Sequence, residues 1–215
     1  MNIRNFYNPV NRKRRRYEEI VHLLDLKPHE KILNLGSGKG YTFENFNKVN
    51  PITGMDIFSE KENVIKQKNF KYIQRKKNTL PFKDKEFDVV VSIGVLEHIQ
   101  PEEAFLKTCE EIQRVGEKHL VIVPSLSTII EPHYGFPFFH LFPIKIQKFL
   151  QKNFNLKYIE ENQKESEYEK IRYLRRSHWK KLFPKSNIKN YMHISFLVKN
   201  LIIYTPTPPA KFHKS

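Results

Sequence analysis

Cysteine is almost absent from this sequence, since its 215 residues contain only Cys109. A single cysteine excludes an internal disulfide and any metal site built from several cysteines, and we expect it to be a small core residue of a helix. No stretch of 18 apolar residues occurs and no apolar secretory segment opens the chain, so we expect a cytoplasmic protein without a membrane span. The length suits one domain with a hydrophobic core.

Glycine is also scarce, with seven residues in the chain, yet three of them alternate just after a short apolar segment. These are Gly36, Gly38 and Gly40. Glycines in such a turn allow the backbone to approach a ligand at the carboxyl end of a strand, where Cβ atoms would block it. The turn therefore predicts a nucleotide- or nucleoside-binding fold.

A carboxylate follows at the distance expected for nucleoside binding. The second predicted strand, Ile52–Asp56, ends twenty residues after Gly36. The Asp56 side chain is placed to accept hydrogen bonds from both hydroxyls of a ribose. The sequence therefore predicts a site for a nucleoside.

Two familiar phosphate-binding loops have a different spacing. The dinucleotide fingerprint has its third glycine three residues after the second, where this chain has Tyr41. A P-loop has a glycine five residues before its Gly-Lys pair and Ser or Thr after it, and this chain has Leu33 and Gly40 there. The spacing excludes both loops.

A second motif supports a particular nucleoside. Residues 80–99 read LPFKDKEFDVVVSIGVLEHI. Together with the alternating glycines, this block resembles class I S-adenosylmethionine-dependent methyltransferases, in the type 11 branch typified by enzymes of ubiquinone and menaquinone biosynthesis. The resemblance covers residues 30–125 and implies that S-adenosylmethionine is the cofactor.

The resemblance also implies the roles of individual residues. Gly36, Gly38 and Gly40 would let the loop pass under the methionine part of the cofactor, and Asp56 would bind the ribose. The remaining predicted cofactor-binding residues are Asn34, Ser37, Ile57, Ser92 and Gly94.

Two positions depart from the family pattern. Asn34 stands where the family usually has an acidic residue that helps to hold the methionine ammonium group. Lys76 stands where the family has an aspartate that binds the adenine amino group, and a lysine has no hydrogen-bond acceptor. These departures predict weaker cofactor binding, and a non-catalytic protein with the same fold remains an alternative.

Predicted strands and helices alternate through the core of the chain. The strands are residues 32–35, 52–56, 70–74, 88–93 and 120–123, and the helices are residues 14–24, 42–46, 60–66 and 102–114. This alternation predicts an α/β, Rossmann-like fold with a mostly parallel sheet, helices on both faces and ligands at the carboxyl ends of the strands. Later segments predict helices at 144–154 and 177–183, the second capped by Ser177, and strands at 188–191 and 196–204.

The predicted organisation is a single methyltransferase domain over residues 1–205. The resemblance implies that its last two strands form an antiparallel hairpin on the parallel sheet. Within the domain we expect a leading basic helix, a cofactor-binding core and a cover on the acceptor side, at residues 12–24, 30–125 and 126–183. Residues 206–215 are expected to be a disordered tail.

The aromatic segment 131–143, which contains three prolines, supplies the catalytic candidates. In the superfamily that the sequence resembles, insertions at this place cover the acceptor. If the acceptor is a hydroxyl, a base must take its proton, and neutral histidine is the usual choice at pH 7. His133 and His140 are the first candidates and His98 the next. No His, Cys or Asp cluster has convincing ligand spacing in the sequence, so no metal is predicted.

The formal net charge of +15 is distributed unevenly. Residues 32–144 contain fourteen basic and fourteen acidic residues, residues 1–31 contain eight and four, and residues 145–215 contain sixteen and five. Such basic flanks favour an anionic acceptor or surface, and the candidates are phospholipid, phosphorylated glycan and RNA. A solvated basic face that binds nothing is the alternative.

Residues 144–154 predict a small basic amphipathic helix. Its lysines stand beside apolar residues: Lys145, Lys148 and Lys152 beside Ile144, Phe149 and Leu150. A helix of this composition can rest on an anionic membrane. Ordinary packing against the sheet is an equally good interpretation.

Taken together, the sequence predicts methyl transfer from S-adenosylmethionine to a small or lipid- or glycan-type anionic acceptor, with O-methylation favoured. A lipid-linked substrate would suit a cytoplasmic enzyme that is peripheral at the inner membrane face. An RNA-binding or RNA-modifying protein is less favoured, because the flanks contain no recognised RNA-binding module.

Overall fold

A seven-stranded sheet runs through the computed structural model, which describes residues 9–38, 47–59, 61, 65, 67–131, 133–154, 171–193 and 197–206. The strands are β1 (Ile32–Leu35), β2 (Ile52–Asp56), β3 (Phe70–Gln74), β4 (Phe87–Ile93), β5 (Gly116–Pro124), β6 (Asn187–His193) and β7 (Val198–Tyr204). The helices are α1 (Pro9–Leu24), α2 (Glu102–Val115), α3 (Ile144–Asn153) and α4 (Arg176–Leu182), with short 3-10 turns at Leu96–His98 and Phe139–Leu141. Of residues 9–13 and 193 only the backbone is described.

The order of the strands is β3-β2-β1-β4-β5-β7-β6. The first five are parallel, and β7 is antiparallel to both β5 and β6. Central β1 lies between β2 and β4, so that Leu35 is in register with Met55 on one side and with Ser92 on the other. The carboxyl ends of these three strands therefore meet at one edge of the sheet.

The middle of the sheet is apolar on both of its faces because helices cover both. Every residue of β1 is buried, and so are Val89, Val90 and Val91 of β4. A nearly continuous apolar run is typical of parallel strands that have helices on each side. The predicted α/β class, the mostly parallel sheet and the C-terminal antiparallel pair are confirmed.

The two faces have separate hydrophobic clusters. On one face α2 and α4 pack through Phe105, Cys109 and Trp179, and on the other α1 packs through Ile20 and Leu24. The interpretation of Cys109 as a core residue is confirmed, because it is buried on the inner face of α2. The packing of a helix on each face places the ligand-binding edge at the ends of the strands.

The observed boundaries agree with the predicted ones for β1, β2 and β3 and shift elsewhere. Strand β5 begins four residues before the predicted start, because the charged residues at its beginning still pair with β4. The predicted cap at Ser177 is wrong, since Arg175 holds the N-cap position without a side-chain hydrogen bond. The predicted helix at 42–46 and nearly all of that at 60–66 lie outside the described residues, as does the tail beyond residue 206.

The extent of the single domain over residues 1–205 stays a prediction. Within the described ranges, no helix combines the length and the apolar character needed to cross a membrane.

A buried histidine ties the hairpin to the parallel part of the sheet. His119 on β5 lies with Nε2 2.6 Å from Ser186 Oγ and Nδ1 3.2 Å from Thr205 Oγ1. Its backbone N–H also donates to Thr205 Oγ1. Burial and the nearby positive charge of Lys85 lower the pKa of His119 to about 4.

We predict that His119 makes the protein sensitive to mild acid. In the unfolded chain the imidazole takes up a proton below its ordinary pKa of about 6.5, whereas in the folded protein it stays neutral until about pH 4. The free energy of unfolding should therefore fall as the pH falls through that window, by on the order of 2 kcal/mol between pH 7.5 and 4.5 from this group. Urea unfolding at the two pH values measures it.

His119→Gln should lose that part of the pH dependence, and His22→Gln, at an exposed position of α1, should keep it. An unchanged pH dependence in His119→Gln would contradict the assignment.

Candidate active site

The turn after β1 needs glycine for two reasons. Gly36 has a φ of +82°, a conformation that residues with a Cβ rarely adopt, and a Cβ there would lie 2.0 Å from Val95 Cγ2. The Gly36 N–H donates to Met55 O at 2.7 Å, which holds the turn against β2. The first glycine of the motif therefore packs β1 onto the residues that follow β4.

Gly38 needs glycine for its conformation alone. Its φ is +58°, and among the described residues no heavy atom lies within 4 Å of the position that a Cβ would take. As far as the described residues show, a ligand can lie against the backbone here. Gly40 lies outside the described residues, so its role stays a prediction.

Asp56 links the glycine turn to the end of β2. Its Oδ2 accepts from Gly38 N–H at 2.7 Å and its Oδ1 from Ile57 N–H at 2.6 Å. Burial raises the pKa of Asp56, although these N–H donors and the charge of Arg75 oppose the rise. Each carboxylate oxygen has a further lone pair, so the side chain can still accept from the two hydroxyls of a ribose.

Two buried hydroxyls next to the turn fit a polar ligand. Ser37 follows Gly36, and Ser92 lies near the end of β4, and each is 1% exposed. Among the described residues neither Oγ has a hydrogen-bond partner. Leaving a buried hydroxyl in that state costs about 1–3 kcal/mol, a cost that a bound polar ligand can remove. The donors, acceptors and open space at this edge therefore suit the cofactor that the sequence predicts.

The other predicted cofactor residues lie at the same edge of the sheet. Asn34 is buried in β1 and brings no charge to the site, and Ile57 is 66% exposed just beyond β2. Gly94 follows β4 with a φ of +67° and is held to β5 by a bond from its N–H to Ile122 O. The strand register thus gathers the predicted residues from three strands.

The end of β3 lies where the resemblance predicts that adenine binds. Lys76 is exposed just beyond β3. Gln74, the last residue of β3, donates from Nε2 to Ile57 O at 3.0 Å, which leaves its amide oxygen as an acceptor at this edge. Arg75 turns inward and donates to Thr108 Oγ1 at 2.7 Å. Sequence reasoning missed Gln74, because one amide at a strand end carries no pattern.

The three candidate histidines are brought into one cluster. The ring of His98 meets that of His133 edge to face, with centroids 5.1 Å apart. His133 Nδ1 lies 2.6 Å from Glu131 Oε1, which also accepts from the Tyr173 hydroxyl. The Tyr173 ring stacks on that of His140 at 4.5 Å. We refer to these five residues as the histidine cluster.

Glu131 fixes the tautomer of His133. Burial raises the pKa of Glu131, but the hydrogen bond and charge of His133, with bonds from Tyr173 and the Tyr134 N–H, outweigh it and leave the pKa below its ordinary value. An ionised carboxylate only accepts hydrogen bonds, so His133 Nδ1 carries a proton. In neutral His133 the lone pair is then on Nε2.

The elements around the cluster hold it in place. The loop after β5 is closed by bonds from Glu131 N–H to Phe136 O and from Gly135 N–H to Glu131 O. The backbone N–H of Arg172 donates to Glu97 O at 2.9 Å, and its guanidinium donates to Ile99 O at 2.8 Å. Segment 171–175 is thereby fastened to the 3-10 turn after β4, a contact across more than 70 residues that no local pattern predicts.

The cluster also gathers potential metal ligands. Glu97, His98 and His133 each offer a ligand atom, and these atoms all lie within 4.8 Å of one another. The sequence predicts no metal site, because the residues come from two segments that are 35 positions apart. Neither segment has recognisable ligand spacing on its own.

Comparison with known proteins identifies a domain and a fold. The sequence model of a family described as a methyltransferase domain matches residues 33–120. An uncharacterized protein of Methanocaldococcus jannaschii is 34% identical over 154 residues, which is 66% of this chain and 64% of the relative. The chain thus matches slightly less than two thirds of that relative's length.

Solved structures show the same fold at low sequence identity. A S-adenosylmethionine-dependent methyltransferase from Methanosarcina mazei has a TM-score of 0.57 and 14% identity, over 88% of this chain and 98% of the other. The magnesium protoporphyrin IX methyltransferase of Synechocystis, with S-adenosylhomocysteine bound, has a TM-score of 0.58 and 13% identity, over 93% and 84%. The glycine turn, the LPF…VLEH block and the family match identify residues 33–120 as a methyltransferase domain, and the fold is that of S-adenosylmethionine-dependent methyltransferases, whose cofactor is S-adenosylmethionine.

Proposed function

We propose that this protein transfers a methyl group from S-adenosylmethionine to a hydroxyl oxygen of a lipid- or glycan-type anionic acceptor. The observation that carries this proposal is the pair of Glu131 and His133 next to the carboxyl end of β4. Gly36 packs on Val95, two residues before Glu97, so the cofactor turn and the histidine cluster share one backbone segment.

The cofactor supplies an electrophilic methyl group on a sulfonium ion, so the protein needs to position the acceptor and to remove its proton. Methylation of a hydroxyl releases one proton along with S-adenosylhomocysteine. His133 Nε2 receives that proton, and Glu131 stabilises the imidazolium through Nδ1. Because Glu131 is itself held by Tyr173, the base is oriented before the acceptor binds.

The cofactor side relies on backbone and neutral groups around one carboxylate. Asp56 binds the ribose, and the hydroxyls of Ser37 and Ser92 donate to or accept from the cofactor beneath the turn. Asn34 contributes an amide in place of the usual acid. The Gln74 amide oxygen accepts from the adenine amino group, which compensates for Lys76.

The acceptor side has an exposed apolar and basic surface. Helix α3 buries only Gln147, and the surface formed by it and the preceding turn exposes Phe138, Leu141, Ile144, Ile146, Phe149 and Phe154. Phe149 is 61% exposed. Lys145, Lys148 and Lys152 lie on the same helix. Exposed aromatic residues among lysines favour contact with an anionic membrane over packing on the sheet.

We predict that Asp56→Ala weakens S-adenosylmethionine binding at least tenfold. The substitution removes the ribose acceptor and the brace of the glycine turn, and charged hydrogen bonds contribute about 1.5–3 kcal/mol each. Titration calorimetry measures the affinity, and Asp25→Ala, at an exposed carboxylate on the far side of β1, is the matched control. Asp56→Asn keeps the shape and tests the charge separately.

Unchanged affinity in Asp56→Ala would remove the ribose assignment. No binding to the unsubstituted protein at millimolar cofactor would favour the non-catalytic alternative instead.

We predict that His133→Gln lowers turnover by about 100-fold or more, since general-base catalysis contributes roughly 10²–10⁴-fold. Transfer of radiolabelled methyl from the cofactor into a phospholipid and glycolipid extract measures the rate. Cofactor affinity should stay within twofold, because His133 lies on the acceptor side. His29→Gln, at an exposed position, should behave as the unsubstituted protein does. Full activity in His133→Gln would reject this base.

We predict that the protein binds anionic vesicles through α3. Replacing Lys145, Lys148 and Lys152 by Gln should weaken partitioning onto phosphatidylglycerol-containing vesicles by on the order of 100-fold, at about 1 kcal/mol per lysine. Vesicle sedimentation measures it. The control replaces three exposed lysines of another surface, Lys68, Lys71 and Lys77, and has the same net charge. Equal losses in both variants would show that net charge alone acts.

A further inference from the structure

We infer that Glu97, His98 and His133 form a binding site for a divalent transition-metal ion of the Zn²⁺ class. The three ligand atoms lie within 4.8 Å of one another. Glu97 and His98 come from the 3-10 turn after β4, and His133 comes from the loop after β5. The two segments are brought together by the β4–β5 pairing.

The donor chemistry selects this class of ion. Two imidazoles and one carboxylate are the ligand set of many catalytic zinc sites and suit other first-row divalent ions. Hard ions such as Mg²⁺ prefer oxygen ligands and are disfavoured here. Three protein ligands also leave at least one coordination position open for water or substrate.

The observed spacing is close to that of a loaded site. Zinc bonds of about 2.0–2.2 Å place the ligand atoms of a tetrahedral site roughly 3.4 Å apart. The three atoms therefore need to move together by about 1 Å, a distance that small side-chain rotations provide. Edge-to-face contact already directs the ring of His98 toward that of His133.

The second layer around the ligands has the composition typical of metal sites. A ligating histidine usually donates its other ring N–H to a carboxylate, which fixes the ring and its tautomer. Glu131 does this for His133, and it is held in turn by Tyr173 and by the Tyr134 N–H. This hydrogen bond of Nδ1 leaves Nε2 as the nitrogen of His133 that can bind an ion.

The location of Glu97 distinguishes an ion site from a simple base. Its carboxylate belongs to a residue that is only 2% exposed, and it lies beside two imidazoles in a turn fastened by Arg172. A base formed by Glu131 and His133 alone makes no use of this second acid.

The consequence for catalysis rests on the proposed function. An acceptor hydroxyl that occupies the open position is made more acidic by the ion, so its proton passes to solvent water and its oxygen forms the bond to the methyl carbon as the sulfur–carbon bond breaks. In the metal-bound protein His133 Nε2 is a ligand, and the role of base proposed above for it applies to the metal-free protein. The bound ion and the free imidazole would thus activate the same acceptor oxygen, at the same position in the site.

Metal binding can be measured without any substrate. Tag-free protein stripped with a chelator is titrated with Zn²⁺ against a chromogenic chelator, and with Co²⁺ while the visible spectrum is recorded. We expect one equivalent of tight binding and a Co²⁺ spectrum typical of low coordination number. His98→Ala and His133→Ala should each weaken binding at least tenfold, and Glu131→Gln about 10- to 100-fold as for other second-layer groups.

His178→Ala, at an exposed histidine of α4, is the matched control and should bind as the unsubstituted protein does. Circular dichroism shows whether each variant is folded, and the Co²⁺ spectrum of the milder His98→Asn gives a second measurement. Zn²⁺ affinity that is the same in the unsubstituted protein and in the His98→Ala/His133→Ala double variant would overturn the site.

The two proposals fail separately. If chelator-stripped protein still transfers methyl groups into a lipid extract, and the protein binds no tight equivalent of Zn²⁺, the metal site is overturned and the proposed function stands. If the variants that lose metal binding keep their S-adenosylmethionine affinity within twofold, the metal site belongs to the acceptor side. Loss of cofactor binding in every ligand variant would contradict the assignment to the acceptor side.

Discussion

The contact on which the rest of the structure depends is the packing of the Gly36 backbone on Val95. There is no room for a side chain between them, and parallel pairing of β1 with both β2 and β4 fixes their positions. This contact joins the turn that is predicted to bind the cofactor to the segment that carries Glu97 and His98. A shift of β1 by one residue would turn its side chains to the opposite faces and separate the two halves of the site.

The two halves use different chemistry. On the cofactor side the groups are backbone N–H donors, buried hydroxyls and amides around a single acid, Asp56. On the acceptor side the groups are acids and imidazoles that interact through side chains, with Glu131 at the centre. Under the proposed function this division has a chemical reason. A sulfonium cofactor arrives already activated and needs only shape and hydrogen bonds, whereas a hydroxyl acceptor would need proton transfer.

The sequence predicts the strands around the glycine turn well and the surroundings of the histidines poorly, for a physical reason. Local spacing predicts the glycine turn and Asp56, and short apolar runs predict the central strands. The bounds of β1 and β2 are therefore predicted to the residue. The histidine cluster is assembled by contacts between distant segments, such as that of Tyr173 with Glu131, which no local pattern encodes. The histidines were identified by residue type, and their partners required the fold.

The most direct test of the account is a crystal structure of the protein with S-adenosylhomocysteine. Both ribose hydroxyls should lie within hydrogen-bonding distance of the Asp56 carboxylate, and the sulfur should face the 3-10 turn and His133. A ligand bound elsewhere, or one whose ribose contacts other residues while its sulfur faces away from the cluster, would contradict it.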